Sequence, residues 1–348
     1  MREVVSDIDR WLKQGQAIAL ATVLQTWGSA PRGVGAKMAV AKGGQVAGSV
    51  SGGCVEGAVV EASAEVLKTK RPQLLHFGVA DETAWSVGLA CGGKIEVFVQ
   101  FLDPGVYAAI QQAITADRPL ATVTIIRGPD ELLGRELTVY EDGSHQGTLS
   151  EALDQPAIAA ARVALGEEQS QRLTLPDRAT EPIEIFIDVL PSAPTLIMVG
   201  GVHIAIALAD IAKTLGYRTI VIDPRRTFGS ETRFPHVDRL IQAWPDKAFQ
   251  EISLTRSTAV TMLTHDPKID DPALKIVLNS HVFYIGALGS RKTQAQRRQR
   301  LQQAGFSEAQ LDRVLGPIGL EIGAKSPEEI ALAVLAQIVA ARNKVPER

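Results

Sequence analysis

The chain carries two cysteines, Cys54 and Cys91, and each abuts a glycine pair: Gly52-Gly53 precedes the first and Gly92-Gly93 follows the second. Glycine pairs take positive φ and let backbone amides approach another group closely, so the pattern points to thiols on loops ringed by hydrogen-bond donors. As thiolates, such groups attack sulfur or bind a soft metal. After Cys54 the apolar residues Val55, Ala58, Val59, Ala62 and Val66 recur at helical spacing. That spacing sets Cys54 at a helix N-terminus, where the helix dipole favours the thiolate. The alternative is a small buried cysteine beside a tight turn. Two thiols build no disulfide framework, and no C-x-x-C or Cys/His zinc spacing occurs among them and the six histidines.

The segments that must position these residues repeat. Leu20–Val23 (LATV) recurs as Leu120–Val123, Gly28 matches Gly128, and Lys37–Ser51 runs parallel to Glu136–Ser150. Each copy reads as a β-hairpin, then an apolar-periodic helix, then a closing strand, Ile95–Val99 or Ile183–Ile187. The reading is an N-terminal α+β domain over residues 1–190, a degenerate tandem duplication with copies at about 17–103 and about 117–190. The hairpins and apolar pattern are shared, whereas Arg32, Lys37, the glycine pairs and both cysteines are private to the first copy. The asymmetry favours a site in copy one, because the same fold does without these residues in copy two.

From residue 191 the pattern changes. A short Pro191-Ser192-Ala193-Pro194 linker precedes the apolar strand Thr195–Val199, Gly200-Gly201, a helix and the strand ending at Asp223. This β-α-β opening, continued by alternating strands and helices, predicts a Rossmann-like doubly wound parallel sheet over 191–348. Asp223 lies at the distance past the glycines expected for a ribose contact, which makes NAD(P) a candidate cofactor, but Val202 stands where the second glycine of the dinucleotide fingerprint belongs. Arg225 after the second strand and Gly289-Ser290-Arg291 before a later helix are candidate anion grips. Arg297-Arg298-Gln299-Arg300 reads as the wet face of that helix. The apolar residues of the last helix, Ile330, Ala331, Val334, Leu335 and Ile338, read as core or as a face for a partner.

Composition narrows the classes. A formal charge of -3 gives no footprint for nucleic acid or an anionic membrane surface. The opening MREVVSDIDRWLKQGQ reads as a polar amphipathic helix and not as an apolar leader, no apolar run is long enough to cross a bilayer, and a reduced cytoplasm is expected.

The motifs GSAPRGVGAKM (Gly28–Met38), GSVSGGCVEGAV (Gly48–Val59), ACGGKIEVFV (Ala90–Val99), IDPR (Ile222–Arg225), GALGSRKT (Gly286–Thr293) and GLEIGAKSPEEIALAVLAQIVAAR (Gly319–Arg342) span both halves in order. In them the chain resembles the XdhC/CoxI family of xanthine dehydrogenase accessory factors. The resemblance implies a maturation factor more than an enzyme: a carrier of the molybdenum cofactor, a pterin-dithiolene complex. Such a carrier holds its cargo while a cysteine desulfurase replaces an oxo ligand by a sulfido, then delivers it to a molybdenum hydroxylase. A homodimer is expected on the same ground. The residue chemistry accords with this: Cys54 and Cys91 are candidate molybdenum ligands. Gly52, Gly53, Gly92, Gly93, Arg32, Lys37, Gly200, Gly201, Asp223, Arg225, Gly289 and Arg291 are candidates for contacts with the pterin phosphate or a nucleotide. The rival readings are an NAD(P)-dependent oxidoreductase and an adaptor that binds nothing small.

Overall fold

The computed structural model describes residues 1–28, 32–53, 55–78, 93–175 and 182–345. They form two compact units, Met1–Pro191 and Ser192–Arg348.

In the first unit seven elements occur twice in the same order. The first set is α1 (Val5–Lys13), β1 (Ile18–Trp27), β2 (Lys37–Ala41), β3 (Val46–Gly48), α2 (Glu56–Thr69), β4 (Gln73–Phe77) and β5 (Lys94–Phe101). The second is α3 (Pro104–Thr115), β6 (Leu120–Arg127), β7 (Glu136–Tyr140), β8 (His145–Gly147), α4 (Asp154–Glu167), β9 (Gln171–Leu175) and β10 (Ile183–Leu190). Two antiparallel sheets result, ordered β3-β2-β1-β5-β4 and β8-β7-β6-β10-β9, so the duplication is visible as one topology used twice. The edge strands β4 and β9 escaped the sequence reading. Their side chains are mostly half-buried, without the clean alternation that marks a strand covered on one side.

The internal alignment needs one correction. The repeated LATV string equates Thr22 with Thr122, yet Thr22 pairs with Lys37 and Phe98, and it is Thr124 that pairs with Glu136 and Phe186. The true equivalent therefore lies two residues further on. A slip of two preserves which face each side chain takes, so hydrophobic patterning alone cannot detect it.

Each sheet buries one face under its own helix. Val55, Val59 and Val66 of the α2 segment pack on Val23, Val97 and Val99, and Ala157, Ala161 and Leu165 of α4 pack on Val123, Ile185 and Ile187. From the opposite faces Leu24 and Phe98 meet Ile126 and Phe186 in a small cluster shared by the two copies.

The second unit contains β11 (Thr195–Val199), α5 (His203–Thr214), β12 (Arg218–Ile222), β13 (Arg239–Ile241), α6 (Pro245–Ala248), β14 (Thr258–Met262), α7 (Pro267–Val277), β15 (Tyr284–Ala287), α8 (Arg291–Gln303), α9 (Glu308–Leu311), β16 (Val314–Leu315) and α10 (Pro327–Arg342). The six strands are parallel, ordered β13-β12-β11-β14-β15-β16, with β11 and β14 buried along their whole length, as a sheet covered on both faces requires. This is the Rossmann-like architecture. Helix α10 starts from a Ser326/Glu329 capping box with Pro327 in its first turn, and Ala331, Val334, Leu335 and Ile338 enter the core shared with α5. That face is core rather than an open partner surface. No helix among the described residues is long and apolar enough to cross a membrane.

Candidate functional site

The first sheet brings the described flanks of three copy-one loops to one end. Trp27 at the close of β1 pairs with Lys94 at the start of β5, Met38 at the start of β2 pairs with Gly48 at the end of β3, and Phe77 at the end of β4 pairs with Ile95. Three segments leave from this end: residues 28–36 with Arg32, residues 49–55 around the first cysteine, and residues 78–93 around the second. Cys54, Cys91 and Gly92 lie outside the described residues; Gly93 is buried immediately before β5.

The 49–55 segment is organised by a carboxylate that the sequence reading did not single out. Gly48, at φ 75°, must be glycine, because a Cβ there would sit 2.3 Å from the Lys37 carbonyl oxygen. Beyond it, Glu56 of α2 turns back and accepts hydrogen bonds from the Ser49 and Ser51 hydroxyls and from the amides of Ser51, Gly52, Gly53 and Val55. Partial burial pushes its pKa up, but these bonds outweigh the burial and hold it at about 2. Gly52 and Gly53 do take positive φ, 85° and 126°, and both amides are engaged by Glu56 instead of standing open to a phosphate. The signal was present: an acid at the first position of a helix that follows Ser and Gly is a natural acceptor for the turn's own amides.

Arg32 joins the same loop, donating from Nε to the Ser49 carbonyl at 3.1 Å while its guanidinium pairs with Glu3. Lys37 does not. Expected to grip a phosphate, it is buried, with Nζ 2.8 Å from Thr22 Oγ1 and 2.7 Å from Asp188 Oδ2 of the second sheet. The correction follows from strand parity, since Lys37 stands on the face of β2 that meets the other copy. At the same end of the sheet Trp27, His76, Phe77, Gly78, Lys94 and Glu96 line a groove of about 540 Å³. Glu96 there holds His76 Nδ1 at 3.0 Å and is bridged by Arg172 to Glu184. None of His76, Glu96 or Arg172 stood out in the sequence.

In the second unit Gly200, Gly201, Asp223, Arg225, Gly289 and Arg291 gather at the carboxyl ends of the strands, where such sheets bind ligands. Between β11 and β14 the strand order reverses, and a cleft of about 510 Å³ opens there, lined in part by Val202, Arg225, Phe228 and His265. The glycines serve internal packing: a Cβ on Gly201 would meet the Phe228 carbonyl oxygen at 2.5 Å, and one on Gly200 would meet Thr264 Cγ2 at 2.5 Å. Asp223 is fully buried and accepts from Gly201 N at 2.7 Å, Arg225 N at 2.9 Å, Arg225 Nε at 2.9 Å and Arg225 Nη2 at 2.7 Å. Burial raises its pKa, but the bonds from Arg225 and Gly201 prevail and hold it below the carboxylate norm. Arg225 also stacks 4.1 Å from the Phe228 ring centroid. The acid expected on a ribose and the amide expected on a pyrophosphate are thus bonded to each other. Gly289, at φ 128°, precedes α8, whose first residue Arg291 is exposed. Arg297 overturns the reading of the arginine run as a wet face: it is buried on buried Asp270 at 3.0 Å, while Arg298 and Arg300 pair with acids nearer the surface. Among the described residues no group of three or more His, Cys, Asp or Glu could hold a metal ion.

Comparison with known proteins agrees with this architecture. Residues 196–338 match the XdhC Rossmann domain and residues 11–78 match the XdhC and CoxI family. A Bacillus subtilis protein described as a probable subunit of xanthine dehydrogenase is 29% identical, the match covering 97% of each chain. The Escherichia coli molybdenum cofactor insertion chaperone PaoD is 25% identical over 95% of this chain and 85% of its own. A solved structure from Bacillus halodurans, described as a xanthine dehydrogenase, superposes with a TM-score of 0.74 at 22% identity over 99% of this chain and 96% of that one. Matched in both halves, in order and over nearly its whole length, the chain belongs to the XdhC and CoxI family.

Proposed function

We propose that this protein is an accessory factor for molybdenum cofactor, carrying the cofactor as cargo to a molybdenum hydroxylase and holding it while a cysteine desulfurase installs the sulfido ligand. The observation that carries the reading is that the strand ends from which the Arg32 loop and the two segments with cysteines in their sequence depart lie together at one end of the first sheet, in the copy of the repeat that has thiols. Cys54 and Cys91 supply soft donors for molybdenum or a relay for sulfur, and Arg32 and Gly93 border the same end. The relative named as a molybdenum cofactor insertion chaperone supports the cargo assignment. The dinucleotide reading draws no support from the second unit, because Asp223 and the Gly201 amide are bonded to each other and the Phe228 carbonyl packs where a pyrophosphate would approach.

The test is to purify the protein from a host that makes molybdenum cofactor, then measure pterin fluorescence after oxidation together with molybdenum content. Wild type should carry both in matching amounts, and the Cys54→Ala, Cys91→Ala double variant should carry at most about a tenth, the loss expected when about 1.4 kcal/mol or more of metal-ligand binding is removed. Full retention in the double variant would sink the thiol assignment, and absence of pterin from wild type would sink the carrier reading.

A further inference from the structure

We propose that the groove lined by Trp27, His76, Lys94 and Glu96 is the seat of the cargo's pterin ring, with Trp27 as the stacking surface and His76 and Lys94 as its polar contacts. The proposal rests on the carrier reading and adds to it the residues that recognise the organic part of the cargo rather than its metal.

The strand registers put these side chains together. His76 on β4 pairs with Glu96 on β5, Trp27 on β1 pairs with Lys94 on β5, and Lys94 stands two residues before Glu96. Directly opposed residues, and residues two apart on one strand, share a face, so all four stand on the same face of the sheet. The groove they line, about 540 Å³, is of the size that small-ligand sites have. Trp27 is 43% exposed, so its indole has surface left to give to a planar ligand. His76 donates from Nδ1 to Glu96 at 3.0 Å, and its side chain is more than half exposed. A carboxylate on Nδ1 keeps the proton there in the neutral ring, which leaves Nε2 as an acceptor. Glu96 is in turn held by Arg172 of the second copy, so the imidazole is oriented by groups that reach as far as β9. A pterin suits this set: its flat ring stacks on indole, its amino and ring N–H groups donate to an acceptor nitrogen, and its phosphate pairs with an ammonium.

The second copy is an internal control. Glu184 pairs with Arg127 and Thr174 as Glu96 pairs with Gln25 and His76, so the two strand ends can be matched residue for residue. In this register Trp27, His76 and Lys94 correspond to Pro129, Thr174 and Pro182. The glutamate is kept, and Arg172 pairs with both copies of it. The indole, the imidazole and the ammonium are not kept. The repeated fold therefore needs the acid and does without the other three, which belong to the copy that carries the thiols.

The experiment is equilibrium dialysis of 6-carboxypterin, a metal-free fluorescent pterin, against the full chain purified from a host that makes no molybdenum cofactor. Each variant's melting curve is recorded beside it. Wild type should bind the probe saturably, and Trp27→Ala should bind it about tenfold more weakly or worse, the loss expected of one stacking contact. Trp27→Phe, which keeps a ring face, should stay within about threefold of wild type, and His76→Ala should lose about threefold or more. No saturable binding by wild type up to about 1 mM probe would overturn the proposal, as would a Trp27→Ala protein that melts like wild type and binds as tightly. The two readings fail separately. A wild type that copurifies with the cofactor yet ignores the free pterin loses the groove and keeps the carrier role, whereas one that binds the probe in the groove but never copurifies with pterin loses the carrier role alone.

Discussion

At the scale of single residues, the ion pair between Arg297 and Asp270 illustrates how burial is decided. Asp270 lies among Ile269, Ala273, Leu274 and Val277 on the buried stripe of α7, where an isolated carboxylate is untenable. Arg297 reaches it from α8 and also donates to the Leu288 carbonyl at 3.1 Å, while Thr264 supplies a second donor to the acid. Burial nevertheless leads, pushing the Asp270 pKa up to about 6. Removing one partner strands the other charge, so Arg297→Ala should cost about 3–5 kcal/mol in denaturant unfolding. Arg297→Met with Asp270→Leu should be far milder, and equal losses in both proteins would show that packing, not charge, matters here. The arginine run gave no hint of this, since a string of like charges reads as solvated. The acid on an apolar helix face was the legible clue: an Asp in the stripe of α7 demands a cation from a neighbour. The cysteines stood out because nothing else in the chain offers a thiol, whereas Glu56 did not, because its role depends on a turn that folds amides back onto it.

At the scale of elements, the seam between the two sheets of the first unit keeps the memory of the duplication. Lys37 at the start of β2 reaches Asp188 on β10, and its counterpart Glu136 at the start of β7 accepts from Gln100 on β5. One crossing is an ion pair; the other is a carboxyl with an amide donor and Thr124, beside a Gln100 Oε1 that has no hydrogen-bond partner among the described residues. Burial is the leading cause that raises the Glu136 pKa to about 7, against the bonds from Gln100 and Thr124 and the nearby charge of Lys37. The sign follows: a carboxyl raised in the folded state stabilises it fully below the unfolded value near 4.5, and that contribution is lost as pH rises through about 7. Discounted for partial exposure, the loss is on the order of 2 kcal/mol. The melting temperature of the first unit's transition should therefore fall between pH 5 and pH 8, and Glu136→Gln should flatten that slope. A slope unchanged in the variant would assign the dependence to another group. Hairpins and covering helices were readable here because period-2 and period-3.6 patterns differ, but the pairing across the seam was not. It depends on a strand register that a two-residue slip leaves invisible to the pattern.

At the scale of the whole molecule, the chain is two units of domain size, each with its own hydrophobic clusters: Leu137, Ile158 and Ile185 sit in a core of the first, and Ile197, Ile222 and Leu274 in a core of the second. The parallel sheet was legible because strands buried on both faces read as continuous apolar runs between helices, and Gly200-Gly201 marked the first turn. What that sheet binds was not legible. Its glycines are needed by Phe228 and Thr264 of the same unit, so a fingerprint that usually marks a cofactor's approach here marks the protein's own packing. If the cargo is held at the cysteine end of the first sheet, the first unit alone should retain it. Residues 1–191 and 192–348, expressed separately in a host that makes the cofactor, should each melt cooperatively, and pterin should copurify with the first and not the second. A first unit that melts cooperatively yet carries no pterin, where the full chain carries it, would overturn the assignment of the cargo to that sheet end. Pterin on the isolated second unit would move the site to the strand ends around Arg225 and Arg291, with the thiols left to a task other than holding the metal.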